Sequence, residues 1–426
     1  MTWSSRGIRS AALLSVGAVA LTACGGGGGG EGDGDVTLRF TWWGSDTRHE
    51  NTEEIIEVFE EENPGITVEA EYGDWSGYWD RLATQSAGGD APDIMQMDEQ
   101  YIREYAERGA LLDLSDVDTS EFQDAAVEGG QTEDGLMAVS LGVVAFSMVA
   151  NTDLYDEAGV DLPDDSTWTW EDYQEAAAEL GEGTEDGVYG ATNLGEPMGL
   201  QLWLRQQGAE LFTEGGELAL TVDQAAEYLE FTQGLVEGEG FPSSDFISET
   251  RGLGPEDGPM GAGESAMQTW WATQLSALSG ASGAALEPLH MPSSAGGAAE
   301  NGSWIKGAMF LSASADTDHP EEAKQFIEFF ANSQEAGEIN GMERGLPANL
   351  EVREAVLEDA DGPEQKAAEF ISEVEEQVTS GVPVPPSGFG QFMNIVIRAQ
   401  DEVAFDRQDP SEAAETMVGE METALQ

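Results

Sequence analysis

The chain holds one cysteine in 426 residues, Cys24, so no disulfide can form within it. Positive charge is almost as scarce: 16 Lys+Arg stand against 84 Asp+Glu, for a formal net charge of −68. A field of that sign repels nucleic acid and anionic lipid, which excludes functions that rest on binding either. The three histidines, His49, His290 and His319, are scattered, and without a second cysteine no zinc-binding spacing exists. No Gly-x-Ser-x-Gly elbow is present. No glycine pattern for a nucleotide phosphate follows a strand, and the acid-rich loops lack the spacing of a calcium-binding EF-hand. Neither a cofactor nor a metal is therefore expected. Long apolar runs are also missing near the start: Ala11–Leu21 is eleven residues long, where a membrane-spanning helix needs about 20.

What is present begins with that same segment. Arg6 and Arg9 precede the apolar run, and Leu21-Thr22-Ala23-Cys24 closes it. A basic start, a short apolar stretch and small residues before a cut describe a secretory signal peptide over residues 1–23. Leu-Thr-Ala-Cys resembles the bacterial lipobox, which implies that Cys24 carries the lipid anchor; two acyl chains suffice for stable attachment. Gly25–Gly30 and the Gly/Asp/Glu residues up to Asp35 read as a flexible tether. Removing the signal leaves 14 basic residues and the same 84 acids, 14 − 84 = −70. This is a charge suited to a salty habitat, where screening relieves self-repulsion. Hydrophobic residues at 40% and eleven tryptophans exclude a disordered chain. A body of roughly 390 residues exceeds one core and predicts two domains.

Along that body, Val36–Trp43 alternates apolar and polar residues as a strand does. Gly44-Ser45-Asp46 breaks it, and Asn51 with Glu54 predicts the capped start of a helix bearing Ile55, Ile56, Val58 and Phe59. Asn63-Pro64-Gly65 ends that helix, and Ile66, Val68, Ala70 and Tyr72 alternate as a second strand. Strand, helix, strand over some 35 residues implies a βαβ unit and a parallel sheet. The alternation continues with a helix around 78–87, a strand at 94–97 and a helix over 101–108. Later helices open at Thr169, Pro320 and Asp409-Pro410. No internal repeat is found.

A series of landmarks in order carries a resemblance. They are Asn63–Val68, Ala87–Ile94, Arg108–Leu114, Val149–Leu154, Thr167–Trp170, and Gly263–Met267 with Trp270-Trp271, followed by Gly345-Leu346-Pro347. The chain resembles the carbohydrate family of ABC solute-binding proteins, the maltodextrin-binding type, over essentially all of its mature length. The resemblance implies an α/β, two-lobed periplasmic-binding-protein-like fold, each lobe a mostly parallel sheet flanked by helices. Three crossovers are expected at the hinge, near Ala145–Val149, Trp304–Met309 and Arg344–Pro347. The lobes implied are 36–145 plus 306–344, and 146–305 plus 345–426. The implied function is capture of an oligosaccharide between the lobes and delivery to ABC permease subunits. The protein is expected as a monomer, anchored by lipid on the outer face of the cytoplasmic membrane.

A sugar offers apolar C–H faces to aromatic rings and hydroxyls to polar side chains. Ligand-binding candidates follow the predicted strands: Trp42, Trp43, Asp46, Arg48 and His49; then Asp74, Trp75 and Tyr78; then Asp98, Gln100 and Tyr101. Pockets of α/β sheets lie beyond the carboxyl ends of the strands. The alternative for each is a place in the core. By resemblance the other lobe contributes Glu196, Trp203, Trp270 or Trp271, Ser303, Trp304 and Phe389. Met198 stands where the family commonly has an aromatic residue. Trp42–His49 is similar to the opening of a subgroup that binds oligogalacturonides, so Arg48, His49, Lys306 and Arg344 are candidates for reading a uronide carboxylate. The plainer alternative is that Arg48 and Arg344 each neutralise one neighbouring acid. Two other functions remain as rivals: a secreted glycoside hydrolase, which needs only two carboxylates, and a surface adhesin.

Overall fold

The computed structural model describes residues 35–426 except 193–196, 214–215, 298–299, 359, 361 and 379–383. The signal peptide, Cys24, the tether and Glu196 lie outside the described residues. Twelve strands are described: β1 (Val36–Trp43), β2 (Ile66–Gly73), β3 (Ile94–Met97), β4 (Gln131–Thr132), β5 (Gly135–Leu136), β6 (Val139–Ser140), β7 (Gly142–Asn151), β8 (Met267–Trp271), β9 (Leu286–Leu289), β10 (Ile305–Gly307), β11 (Phe310–Ala313) and β12 (Leu346–Pro347).

The first sheet has the order β2-β1-β3-β11-β6. β1 is parallel to β2 and β3, and β11 runs antiparallel to β3 and β6. Alternation along β1 sends Leu38, Phe40 and Trp42 to one face, where Phe40 meets Phe326 of helix Pro320–Asn332 at 5.3 Å. Thr41 and Trp43 take the other face; Trp43 packs edge-on against Tyr78 of helix Trp75–Gly88 at 5.1 Å. Each fully buried Phe or Leu in such a layer contributes about 1.5–3 kcal/mol of transfer free energy.

In the second body β7 is the centre. Its first residues pair with β10 and β12, and Phe146–Asn151 pair with β8 and β9, all antiparallel. The expectation of a mostly parallel sheet is corrected here: among the described residues, parallel pairing in this body is limited to single bridges such as Thr192 with Gln268. The reason is topological. All four described strands beside β7, namely β8, β9, β10 and β12, enter its sheet running opposite to it. A helical core built from helices Pro197–Gln206, Val222–Val236, Phe392–Ala404 and Pro410–Ala424 completes the body.

Three chain segments run side by side where the sheets meet: Gly142–Ala145, Ile305–Gly307 and Leu346–Pro347. The first lies a few residues earlier than 145–149, because Phe146 onward already belongs to the β8–β9 ladder. Gly142 and Gly345 make the approach possible. A Cβ on Gly142 would sit 2.7 Å from the Arg344 carbonyl oxygen, and Gly345 holds φ +103, a conformation other residues adopt only under strain.

Candidate functional site

Because β1, β2 and β3 are parallel, their carboxyl ends share one edge, and a helix opens directly after each. Ser45 Oγ accepts from the Arg48 amide at 3.4 Å, Asp74 Oδ1 from the Gly77 amide at 3.1 Å and Asp98 Oδ1 from the Gln100 amide at 3.1 Å. The first of these caps corrects an expectation. Helix Asp46–Glu62 begins five residues before Asn51, since Ser45 satisfies the free amides of the first turn. Arg48 and His49 are therefore helical, not loop residues.

A cavity of about 840 Å³ lies against this edge, within the usual range for a small-molecule site. Trp43, Ser45, Arg48, Trp75 and Asp98 line it from the first sheet, and Val144, Trp271 and Lys306 from the strands around β7. Segment 338–345 contributes a further wall. Trp43 forms the floor at 6% exposure, while Trp75 stands 37% exposed with its ring 5.0 Å from Trp43. Trp79 packs behind these rings, 5.4 Å from both and 3.9 Å from Tyr101. Trp79 is absent from the candidates drawn from the sequence, although its position four residues after Trp75 places the two on one helix face. Its Nε1 is buried without a partner. Tyr78 backs the cluster and donates its hydroxyl to the Gln96 carbonyl at 2.6 Å. Burial raises the Tyr101 hydroxyl pKa to about 12, so it remains a neutral donor.

Among the described residues, each candidate cation has partners, although Arg48 Nε is buried without one. Arg48 donates to the carbonyls of Trp43 (3.2 Å) and Glu343 (2.9 Å), and pairs with the Glu343 carboxylate at 3.0 Å. Lys306 pairs with Glu99 at 2.9 Å and sits 5.1 Å over the Trp271 ring. Burial works against the Lys306 ammonium, but Glu99 and Asp98 hold its pKa above the ordinary lysine value. Arg344 is fully buried and makes no ion pair with an acid among the described residues. It donates to Gln96 Oε1 (2.8 Å), Asn340 Oδ1 (3.0 Å) and Thr52 Oγ1 (2.8 Å), and burial with the nearby Arg48 charge pulls its pKa well below the arginine norm. His49 lies on the other face of the sheet, accepting from Trp42 Nε1 at 3.0 Å and stacking on Tyr72 at 4.1 Å. Burial lowers its pKa, consistent with a neutral ring. Of the four candidate carboxylate readers, only Arg48 and Lys306 reach the cavity.

Several other candidates are placed elsewhere. Trp42 is fully buried beside Phe40, since β1 alternation gives it the face opposite Trp43. Trp203 packs with Tyr228, and Phe389 with Phe212 and Phe392, in the helical core. Trp304 is buried between Phe146 and Trp271. Asp46 is exposed in the first turn of its helix, and Gln100 is half-buried in the first turn of the next. Of the tryptophan pair, Trp271 lines the large cavity and Trp270 a neighbouring one of about 200 Å³. Ser303 lines a third of about 410 Å³ beside Arg205 and Gln377, its Oγ buried without a partner.

The two bodies also meet away from β7. Arg103 donates to the carbonyls of Pro385 (3.2 Å) and Val384 (3.0 Å), and the Ser387 hydroxyl donates to Glu107 at 2.5 Å. At Gly390 a Cβ would come within 2.7 Å of the Tyr101 ring, so only glycine fits there.

The family model described as bacterial extracellular solute-binding protein matches residues 43–337, more than half of the chain. An uncharacterized lipoprotein of the oleD 5′ region in Streptomyces antibioticus is 28% identical over 317 residues, 69% of this chain and 66% of its own length. The chain thus spans slightly less than two thirds of that relative. A periplasmic solute binding protein from Pectobacterium atrosepticum shares the fold at TM-score 0.81 and 23% identity, covering 92% of this chain and 100% of that one. A periplasmic oligogalacturonide binding protein from Yersinia enterocolitica, in complex with saturated digalacturonic acid, does so at TM-score 0.79 and 23% identity, with the same coverages. Likenesses at this identity speak for the fold.

Proposed function

The chain belongs to the bacterial extracellular solute-binding protein family, and from that premise we propose that it is the binding component of an ABC importer that holds an oligosaccharide between two lobes and delivers it to the permease. The observation that carries this reading is the cavity of about 840 Å³ between the two sheets, with tryptophan rings on both sides. Trp43 and Trp75 from one side and Trp271 from the other take the C–H faces of the sugar rings. Asp98, Asn51 and Gln274, which also line the cavity, take hydroxyls. The three adjacent segments at Gly142–Ala145, Ile305–Gly307 and Leu346–Pro347 form the hinge, with the lobes divided there, and closure brings Arg103 onto the Val384–Pro385 carbonyls. Oligosaccharide-binding neighbours such as the Yersinia protein support a glycan ligand. The lipoprotein name of the Streptomyces relative supports an anchor at Cys24 and an extracytoplasmic place.

Calorimetry and tryptophan emission against a panel of oligosaccharides test the reading. Saturable binding with an emission change and no turnover is expected. Absence of binding to any glycan overturns it, and turnover would move the protein to the hydrolases. Cys24→Ala is expected to abolish membrane attachment; unchanged attachment with normal cleavage removes the anchor from the proposal.

A further inference from the structure

Only two described residues that line the cavity carry positive charge, Arg48 and Lys306, and each already holds a carboxylate of the protein. Arg48 is spent on the Glu343 carboxylate and on two backbone carbonyls. Lys306 is spent on Glu99, with the Trp271 ring on another side. Five acids line the same space, Asp98, Glu256, Glu338, Glu343 and Glu364, so its lining carries 2 − 5 = −3. Two further cations are also committed: Arg344 to three neutral side chains, Arg103 to two carbonyls. Arg48 Nε has no partner but is buried, so a ligand carboxylate entering here would lose its water and meet only cations already paired with carboxylates, an unfavourable exchange.

Resting on the reading of the cleft as an oligosaccharide site, we infer that it selects uncharged or amino-bearing glycans and rejects uronides, through Glu343 and Glu99 acting as built-in occupants of the two cations. These carboxylates hold the places that a uronide carboxylate would otherwise take. The selection is a property of the lining and is distinct from the long-range repulsion of the whole chain, which salt removes.

The experiment compares neutral, amino-sugar and uronide oligomers of equal length by calorimetry on the full protein, at 0.1 M and 1 M salt. At 1 M the Debye length is about 3 Å and the global field is screened. Uronides are expected to bind at least about tenfold more weakly than neutral oligomers at both salts. Equal or tighter uronide binding overturns the inference, and so does a preference that vanishes at 1 M salt, since it would then belong to the net charge. Glu99→Gln frees Lys306 and Glu343→Gln frees Arg48. Each is expected to raise the uronide-to-neutral affinity ratio about tenfold, a change of about 1.4 kcal/mol. Because Glu99 is largely buried and its variant can lose the fold, Glu343→Gln, at a side chain 28% exposed, supplies the second reading. No gain in the folded variants overturns the mechanism. Failure of every glycan to bind overturns the oligosaccharide reading itself, a result distinguishable from a uronide preference.

Discussion

The two walls of the cavity are built by different rules. On the first wall, three parallel strands end at one edge and hand over to helices, so Trp43, Trp75 and Asp98 arrive together although they come from three separate segments. On the second wall the ladders around β7 are antiparallel, with no shared carboxyl edge. There, Trp203, Trp304 and Phe389 all lie in cores, and Trp271 is the ring that reaches the large cavity. An aromatic residue just past a parallel strand has open space before it. One within an antiparallel ladder has a neighbour on each side, and its exposure depends on what packs over that face.

If this contrast holds, the same substitution should act on different quantities in the two walls. Trp203→Ala should be the most damaging, costing about 3–5 kcal/mol of stability as a buried indole is replaced by a cavity. Urea unfolding should show a lower midpoint, while the folded fraction binds ligand normally; a loss of affinity with unchanged stability would put Trp203 back in the site. Trp75→Ala should do the reverse. Stability should hardly change at a ring 37% exposed, and ligand affinity should fall by about 2–4 kcal/mol if it is a stacking anchor. Titration by intrinsic fluorescence would measure this, and unchanged affinity would leave the first wall without its principal contact.

A smaller effect is expected where the walls meet. Arg103→Ala removes the two donations to Val384 and Pro385 and should weaken ligand binding by roughly 1–2 kcal/mol, about 1 kcal/mol per hydrogen bond. Small-angle scattering should show a more open ligand-bound form; an unchanged envelope and affinity would mean that these bonds do not hold closure. The smallest effect concerns His49, behind the first wall. Its folded pKa is lowered from 6.5, chiefly by burial. Between the two values the unfolded chain binds the proton and the folded chain does not, so stability should fall as pH drops from above 6.5 through the folded value. His49→Gln should flatten that part of the melting profile. An equal slope in both proteins would assign it to the carboxylates.

Much of the first wall is legible in the sequence. The β1–helix–β2 alternation and the cluster of rings after each strand follow from short-range chemistry, whereas the capping by Asp74 and Asp98 emerges only in the structure. One turn, where the pattern misleads, has large consequences. Taking Gly44–Asp46 as a break and Asn51 as the cap leaves Arg48 and His49 on a loop free to reach a ligand. With Ser45 as the cap, the helix carries Arg48 back to Glu343 and turns His49 to the Trp42 face. Trp79 becomes a candidate only when the helix period is followed on from Trp75, a signal that the sequence does contain. For Arg48, the plainer expectation of a neighbouring acid is what the structure shows; for Arg344, the partners are neutral side chains.

Composition and pattern alone determined the acid excess, the lack of an internal disulfide, the strand and helix alternation of the first body and several helix starts. These depend on residue counts or on contacts within a few positions. Only the tertiary structure decided which of two adjacent tryptophans sees the cavity and which acids claim the cations that line it. Period-two alternation says that Trp42 and Trp43 face opposite ways, but the face that becomes core is chosen by helix Pro320–Asn332, far along the chain. Likewise the carbonyl and carboxylate that claim Arg48 lie 295 residues away, and the acid that claims Lys306 lies 207 away. Charge pairing acts through distance in space, and that distance is set by the packing of both sheets around β7.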